Sequence, residues 1–309
     1  MVLFAQKQYE ALGAELKRAW PALRIGELEL ARFENGELHA TVHTSVAFEH
    51  CIVLGSIAPP DEQLLSALLL AHTLKKEGAG KLTALLPYLA YSRQDKDKPG
   101  ESLAAALTGR LLEAAGFDQI ITLDVHSEMD KQLFPIPLIS LETAALFGDA
   151  IRKHKLSEAT IVAPDNGAIA RSKAVLKAAG LPEGDVPYFE KQRVGAGIAH
   201  VGPIGKVGVQ AVIVDDILDT GATLVSACQK LVEAGVRVMY IMVTHGLFTG
   251  NRWKELWGLN VKRIFCTDAV PLPSDLDRNN IEILSIVPLL RRHLSHLEQH
   301  DEAMVSSVR

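Results

Sequence analysis

The chain has 309 residues, of which 48% are hydrophobic and 22% charged, with a formal net charge of -5. The composition is ordinary for a globular protein, and the length predicts two domains rather than one. The negative charge disfavours nucleic acid as a main partner, since such partners usually need a basic surface. The first ten residues do not resemble a signal peptide, and no apolar run has the length of a membrane span. We therefore expect a cytoplasmic protein without a membrane partner.

Short apolar runs alternate with longer amphipathic ones along the first half of the chain. The pattern predicts strands at residues 50–56, 81–89 and 119–127, with helices at 61–78 and 101–116 between them. Alternation of strand and helix is typical of parallel sheets joined by crossover helices.

The second half repeats this order of elements. Strands are predicted at residues 159–165, 211–217 and 237–245, and helices at 166–180 and 221–235. The sequence thus predicts an α/β fold with two domains, each a mostly parallel sheet flanked by helices.

Prolines near residue 137 place the boundary between the two domains. The expected division is residues 1–142 and 143–309. The tail after Arg291 is polar and contains three histidines, and we expect it to be solvated. Cys51, Cys228 and Cys266 lie far apart without metal-ligand spacing, so they are expected to be reduced core residues.

Three carboxylates precede a glycine turn in the segment AVIVDDILDTGATLVSA, residues 211–227. Asp215 and Asp216 lie near the carboxyl end of a predicted strand, where ligands of open parallel sheets bind. The turn that follows can present backbone N–H groups and threonine hydroxyls to an anion, with a helix N-terminus behind them. The carboxylates would accept hydrogen bonds from sugar hydroxyls. The segment therefore predicts a phosphorylated sugar as ligand, and the alternative is that Asp219 merely caps the helix.

This segment closely resembles the phosphoribosyl-pyrophosphate-binding motif of type I phosphoribosyltransferases and of ribose-phosphate pyrophosphokinases. The resemblance implies a type I phosphoribosyltransferase-like fold for each domain and a site for ribose 5-phosphate. The residues assigned to that site are Asp215, Asp216, Asp219, Thr220, Gly221, Ala222 and Thr223.

Other segments, in the same order as in the family, resemble the pyrophosphokinases alone. YSRQD at residues 91–95 and DVH at 124–126 resemble segments that bind Mg-ATP. The resemblance assigns ATP binding to Arg93, Gln94, Asp95 and His126, with His126 also near the metal. In PDNG at residues 164–167, it assigns Asp165 to magnesium, which usually keeps much of its water.

Two further segments resemble the family with one departure each. In FENGE, residues 33–37, Phe33, Asn35 and Glu37 match a loop that binds adenine in a neighbouring subunit, although Asn35 replaces aspartate. This implies a homo-oligomer with a shared ATP site. In EKQR, Lys191 and Arg193 match catalytic residues of a mobile loop, although glutamine separates them where the family has arginine.

The resemblance as a whole implies a ribose-phosphate diphosphokinase of nucleotide biosynthesis. Such an enzyme transfers the β,γ-diphosphoryl group of Mg-ATP to the 1-hydroxyl of ribose 5-phosphate. Residues 96–102 lack the arginines of the phosphate-activated class, so the resemblance does not extend to phosphate activation or ADP allostery. The alternatives are a non-catalytic regulatory subunit associated with a synthetase, a phosphoribosyltransferase, and a paralogue that acts on another pentose phosphate.

Overall fold

The computed structural model describes residues 1–127, 130–194 and 197–307, with the backbone alone at 130, 191–194, 197–200 and 300–307. The described chain forms two compact units. The first unit is Met1–Leu141 together with Val287–Arg309, and the second is Glu142–Ile286.

A six-stranded parallel sheet forms the centre of the first unit. From edge to edge its strands are β2 (Arg24–Ile25), β1 (Val2–Ala5), β5 (His50–Leu54), β6 (Lys81–Leu85), β7 (Gln119–Leu123) and β8 (Leu138–Leu141). Its helices in chain order are α1 (Glu10–Ala19), α2 (Glu62–Lys76), α3 (Ala104–Ala115) and α4 (Asp130–Leu133). The central strands are buried along nearly their whole length, which explains their continuous apolar sequences.

An antiparallel hairpin also belongs to the first unit. It consists of β3 (Leu28–Arg32) and β4 (Leu38–Val42). At its turn the N–H of Phe33 donates to the carbonyl of Glu37 at 2.9 Å, and Gly36 has a φ of +90°. The FENGE segment is thus the tip of a hairpin.

The final helix, α8 (Val287–Ser307), corrects the expectation of a solvated tail. Leu290 and Leu294, four residues apart, are completely buried. The helix packs against α1, and Glu298 pairs with the amino terminus at 3.5 Å. Val287–Arg309 groups with the first unit, whereas the expected division of 1–142 and 143–309 places it in the second domain.

The second unit is built on a five-stranded parallel sheet. Its strands in spatial order are β15 (Ile281–Leu284), β14 (Val261–Thr267), β13 (Val238–Gly246), β12 (Gln210–Leu218) and β9 (Thr160–Val162). Its helices are α5 (Ala144–Lys153), α6 (Ile169–Ala179) and α7 (Ala222–Glu233). An antiparallel pair, β10 (Tyr188–Val194) and β11 (Gly197–Ile204), completes the unit.

The α/β class with parallel sheets flanked by helices is confirmed in both units. Within residues 1–127, 130–194 and 197–307, no helix is long and apolar enough to cross a membrane.

Candidate functional site

Two adjacent buried carboxylates form the centre of the candidate site in the second unit. Asp215 and Asp216 are 8% and 7% exposed, and β12 continues past them to Leu218. The guanidinium Nη1 of Arg171, on α6, lies 4.0 Å from Asp215 Oδ1 and 3.8 Å from Asp216 Oδ1. The backbone N–H of Asp216 donates to Asp215 Oδ1 at 2.9 Å. The pair is therefore held by one backbone donor and by a cation from the neighbouring helix.

The surroundings of Asp215 disfavour the ionised form of its carboxyl. Burial raises the pKa of the Asp215 carboxyl well above its usual range, and the charges of Asp216 and Asp165 raise it further. Arg171 opposes these effects and lowers the pKa. A ligand that donates hydrogen bonds or brings positive charge would therefore stabilise the ionised pair.

Asp215→Asn should stabilise the fold while weakening the site. Because the folded-state pKa is raised, the wild-type carboxyl destabilises the fold as the pH rises through that pKa, so the variant's advantage should grow toward neutral pH. We expect a melting temperature higher by about 2–4 °C, the shift that about 1 kcal/mol gives in a large domain. Thermal melts across pH measure this, with exposed Asp185→Asn as the control. A variant less stable than wild type at neutral pH would contradict the interpretation that the charges of Asp216 and Asp165 disfavour an ionised Asp215.

A glycine turn follows the acidic pair and begins α7. Gly221 is the N-cap residue, with a φ of +84°, so Asp219 does not occupy the capping position. Glycine has no side chain, so the N-cap residue itself cannot accept a hydrogen bond from the first turn of the helix. Asp219 is half-buried and Thr220 is exposed. The amides at the start of a helix have no partner within the helix, and the dipole of the helix favours an anion there.

The turn after β9 is arranged differently. Asp165 precedes the 3-10 turn Asn166–Ala168, and its Oδ1 accepts the N–H of Ala168 at 3.1 Å. A carboxylate thus already takes an amide that would otherwise be available to an anion. The charge of Asp165 also raises the pKa of the Asp215 carboxyl.

The two segments predicted to bind ATP, residues 91–95 and 124–126, follow two neighbouring parallel strands of the first unit, β6 and β7. Arg93, Gln94 and His126 are exposed, whereas Asp95 is 9% exposed. The side-chain oxygen of Gln94 accepts a hydrogen bond from Ser102 at 2.6 Å, which ties the loop near the start of α3. The sequence thus brings the two segments to the same edge of the sheet.

The hairpin tip presents Phe33, Asn35 and Glu37 to solvent. Phe33 is 57% exposed and stacks on His39, with ring centroids 4.7 Å apart. Asn35 Oδ1 accepts the N–H of Glu37 at 3.1 Å, so the asparagine that replaces aspartate stabilises the turn. Phe33 therefore offers an accessible aromatic face.

The two residues predicted to be catalytic lie in β10, where Lys191 pairs with His200 and Arg193 with Ile198 along the backbone. The side chains of Lys191 and Arg193 lie outside the described residues. In the part of the chain whose side chains are described, no group of three or more His, Cys, Asp or Glu forms a metal-binding cluster.

Arg171 is a site residue to which the sequence pattern assigned no role. Its signal was an arginine in the first turn of a helix that follows the strand-end Asp165. That spacing alone does not show that α6 directs the guanidinium toward β12, because the contact depends on packing between the elements.

Known proteins resemble this chain over nearly its whole length. Residues 1–116 match a model described as the N-terminal domain of ribose phosphate pyrophosphokinase, and residues 138–308 match one described as a phosphoribosyl synthetase-associated domain. The ribose-phosphate pyrophosphokinase of Campylobacter jejuni is 31% identical, over 92% of each chain. That of Burkholderia pseudomallei is 30% identical, over 98% of this chain and 96% of the relative.

A solved structure also resembles this chain over nearly its whole length. The phosphoribosylpyrophosphate synthetase from Mycobacterium smegmatis has a TM-score of 0.86 and 26% identity, covering 97% of this chain and 99% of that one. Taken with the matches in sequence, this likeness shows that the chain belongs to the ribose-phosphate pyrophosphokinase family.

Proposed function

We infer that the protein transfers the diphosphoryl group of ATP to the 1-hydroxyl of ribose 5-phosphate, forming 5-phosphoribosyl 1-diphosphate and AMP. Membership of the family supports this reaction. The observation that carries the assignment to a site is the buried acidic pair, held by Arg171, immediately before a glycine-capped helix.

The two parts of this site take different parts of the sugar phosphate. The amides and hydroxyls of residues 219–223 bind the 5-phosphate, because a helix N-terminus stabilises an anion. Asp215 and Asp216 accept hydrogen bonds from the ribose hydroxyls, and these donors stabilise the ionised carboxylates. Arg171 keeps the pair in place and offsets part of its charge.

Magnesium is the proposed metal, and the donors present suit it. Mg²⁺ prefers oxygen ligands and is usually held by one or two carboxylates, substrate phosphates and water rather than by a complete protein cage. Asp165 offers such a carboxylate at the end of β9, and the described side chains contain no complete cage. When bound, the metal would neutralise charge on the phosphates. The resemblance to the family also proposes His126, which follows β7, as a metal contact.

ATP is proposed to bind the exposed side chains of the first unit. Arg93 is suited to phosphate because its guanidinium can form two parallel hydrogen bonds to phosphate oxygens. Gln94, Asp95 and His126 would complete the contacts in this unit. Phe33, with Asn35 and Glu37, would receive the adenine in a second copy of the chain, so the active form is proposed to be a homo-oligomer.

Lys191 and Arg193 are proposed to stabilise the charge that develops on the transferred group. Phosphoryl transfer depends chiefly on positioning and on electrostatic stabilisation, which two cations can supply.

The formation of AMP from ATP tests the reaction. Purified protein with ATP, Mg²⁺ and ribose 5-phosphate should release AMP, and omission of the sugar phosphate should stop it. Arabinose 5-phosphate and xylose 5-phosphate, which keep an anomeric 1-hydroxyl, serve as matched acceptors and test whether another pentose phosphate is preferred. The absence of AMP with every acceptor would contradict the proposed function.

A synthetase-associated subunit remains the second candidate, because the description of the model that matches residues 138–308 names such an association. This candidate predicts no AMP from the protein alone, and a change in activity when it is mixed with an active synthetase. The acidic pair and Arg171 favour the catalytic proposal, since a purely associated subunit has no need of a buried repulsive pair.

A further inference from the structure

A segment remote from the acidic pair in sequence contacts the proposed phosphate loop, residues 219–223. Residues 247–253, here called the brace, run from the end of β13 into the first two residues of the 3-10 helix Arg252–Leu259. The N–H groups of Leu247 and Phe248 both donate to the carbonyl of Leu218, at 2.9 and 3.1 Å. The N–H of Thr249 donates to the carbonyl of Asp219 at 3.1 Å. Three successive amides of the brace therefore hold two successive carbonyls at the start of the loop.

These hydrogen bonds decide which way the loop amides point. In a planar trans peptide, the carbonyl and the N–H of the same unit point in opposite directions. The carbonyls of Leu218 and Asp219 face the brace, so the N–H groups of Asp219 and Thr220 face away from it. The carbonyl of Gly221 accepts the N–H of Val225 at 2.8 Å within α7, which likewise directs the next amide outward from the helix. The brace thus aligns the amides that an anion would use.

Packing against Gly221 fixes the distance between brace and loop. A Cβ added at Gly221 would lie 2.6 Å from the Cα of Trp253 and 2.7 Å from its Cβ. The backbone of Trp253 therefore lies directly against the N-cap of α7. A residue with a Cβ does not fit at position 221 unless the loop or Trp253 shifts, so the two backbone segments are in close contact.

The side chain of Trp253 holds the brace in this position. It is 3% exposed and packs edge to face on Phe248, with ring centroids 4.9 Å apart. Its Nε1–H donates to the carbonyl of Gly250 at 3.1 Å, and this hydrogen bond closes the turn between Gly250 and Trp253. Phe248 has a φ of +51°, a conformation that a bulky residue keeps only when its surroundings impose it. The indole therefore supports the strained residue whose amide reaches Leu218.

We propose that Trp253 is a positioning residue for ribose 5-phosphate, acting through the brace and through Gly221 on the amides of the phosphate loop. The proposal rests on the assignment of residues 219–223 to the 5-phosphate. It concerns the sugar phosphate and not the nucleotide, so it predicts an effect on one substrate alone.

Substitution at Trp253 tests the proposal, with Trp257 as the matched control. Trp257 lies in the same 3-10 helix and packs edge to face on Trp253, with centroids 6.3 Å apart. Trp253→Ala should raise the KM for ribose 5-phosphate by about tenfold, the loss expected from one to two weakened hydrogen bonds. The KM for ATP should stay within about twofold, because the segments proposed for ATP do not include the brace. Trp253→Phe should restore most of the affinity, because it keeps the ring contact, and Trp257→Ala should leave both constants near wild type.

A binding measurement keeps the test independent of catalysis and of the stability of the alanine variant. Calorimetry with ribose 5-phosphate, without ATP, should show the same loss of affinity in Trp253→Ala. Ribose 5-phosphate should also change the tryptophan emission of the wild type, and Trp253→Phe should abolish that change while Trp257→Phe retains it.

The two possible failures differ in their results. The wild type could bind ribose 5-phosphate while the Trp253 variants bind it equally well and keep the emission change. That result would overturn the positioning role of Trp253 but not the proposed sugar-phosphate site. An equal loss for both substrates would also overturn that role. Wild type that does not bind ribose 5-phosphate would contradict the proposed site, and the brace with it.

Discussion

Lys191→Ala should lower kcat by about 10²–10³-fold, because loss of one contact to transition-state charge commonly costs about 3–4 kcal/mol. The role proposed for Lys191 rests on its match to the family's catalytic segment. Its backbone lies in β10. The affinity for ribose 5-phosphate should change little, since the proposed sugar-phosphate contacts come from β12 and from residues 219–223 at the start of α7. Steady-state kinetics and calorimetry with the sugar phosphate measure the two quantities separately.

Lys206→Ala is the matched control for this prediction. Lys206 is an exposed lysine shortly after the paired strand β11, so its removal changes the net charge equally without removing the proposed contact. Its kcat should match wild type. An unchanged kcat in Lys191→Ala, or an equal fall in the control, would remove Lys191 from the mechanism.

Gly221→Ala should lower kcat/KM for ribose 5-phosphate by about 10²-fold or more, since a displacement of about 1 Å at a site can cost that much. The added methyl would meet the backbone of Trp253, which cannot rotate away as a flexible side chain could. It would also occupy a φ of +84°, which residues with a Cβ rarely adopt. Either the loop or the brace must move, and the amides proposed to bind the phosphate move with it.

Gly235→Ala is the control that separates the effect of the collision with Trp253 from the effect of the positive φ. Gly235 follows the carboxyl end of α7 with a φ of +92°, and an added Cβ there would meet no atom within 4 Å. Both variants therefore carry a similar conformational cost of about 1–2 kcal/mol, but only Gly221→Ala disturbs the loop. Thermal melts and kinetics of the pair measure this difference. A loss of activity in Gly235→Ala as large as that in Gly221→Ala would show that strain in α7, rather than the loop, is responsible.

Local patterns in the sequence predicted the layers and the position of the acidic pair. Continuous apolar runs indicate strands buried on both faces, and the change from strand to glycine turn at Gly221 indicates where a helix begins. These features depend on neighbouring residues, and the structure has them near the expected positions. The fold class could therefore be predicted without knowledge of packing.

Contacts between distant elements could not be predicted in the same way. Arg171 reaches the acidic pair from another helix, and Trp253 reaches Gly221 from beyond the next strand. No local period indicates either contact. The position of α8 was partly readable, because Leu290 and Leu294 have helical spacing, but its polar and histidine-rich composition suggested a solvated tail.

The identity of the reaction products tests the central claim most directly. Phosphorus NMR of a mixture of the protein with ATP, Mg²⁺ and ribose 5-phosphate should show AMP and a 1-diphosphate sugar appearing in equal amounts, without ADP. Asp215→Asn should slow both signals by about 10–10²-fold, the effect of losing one charged hydrogen-bond partner. Formation of ADP, or of AMP without the sugar diphosphate, would contradict the assignment.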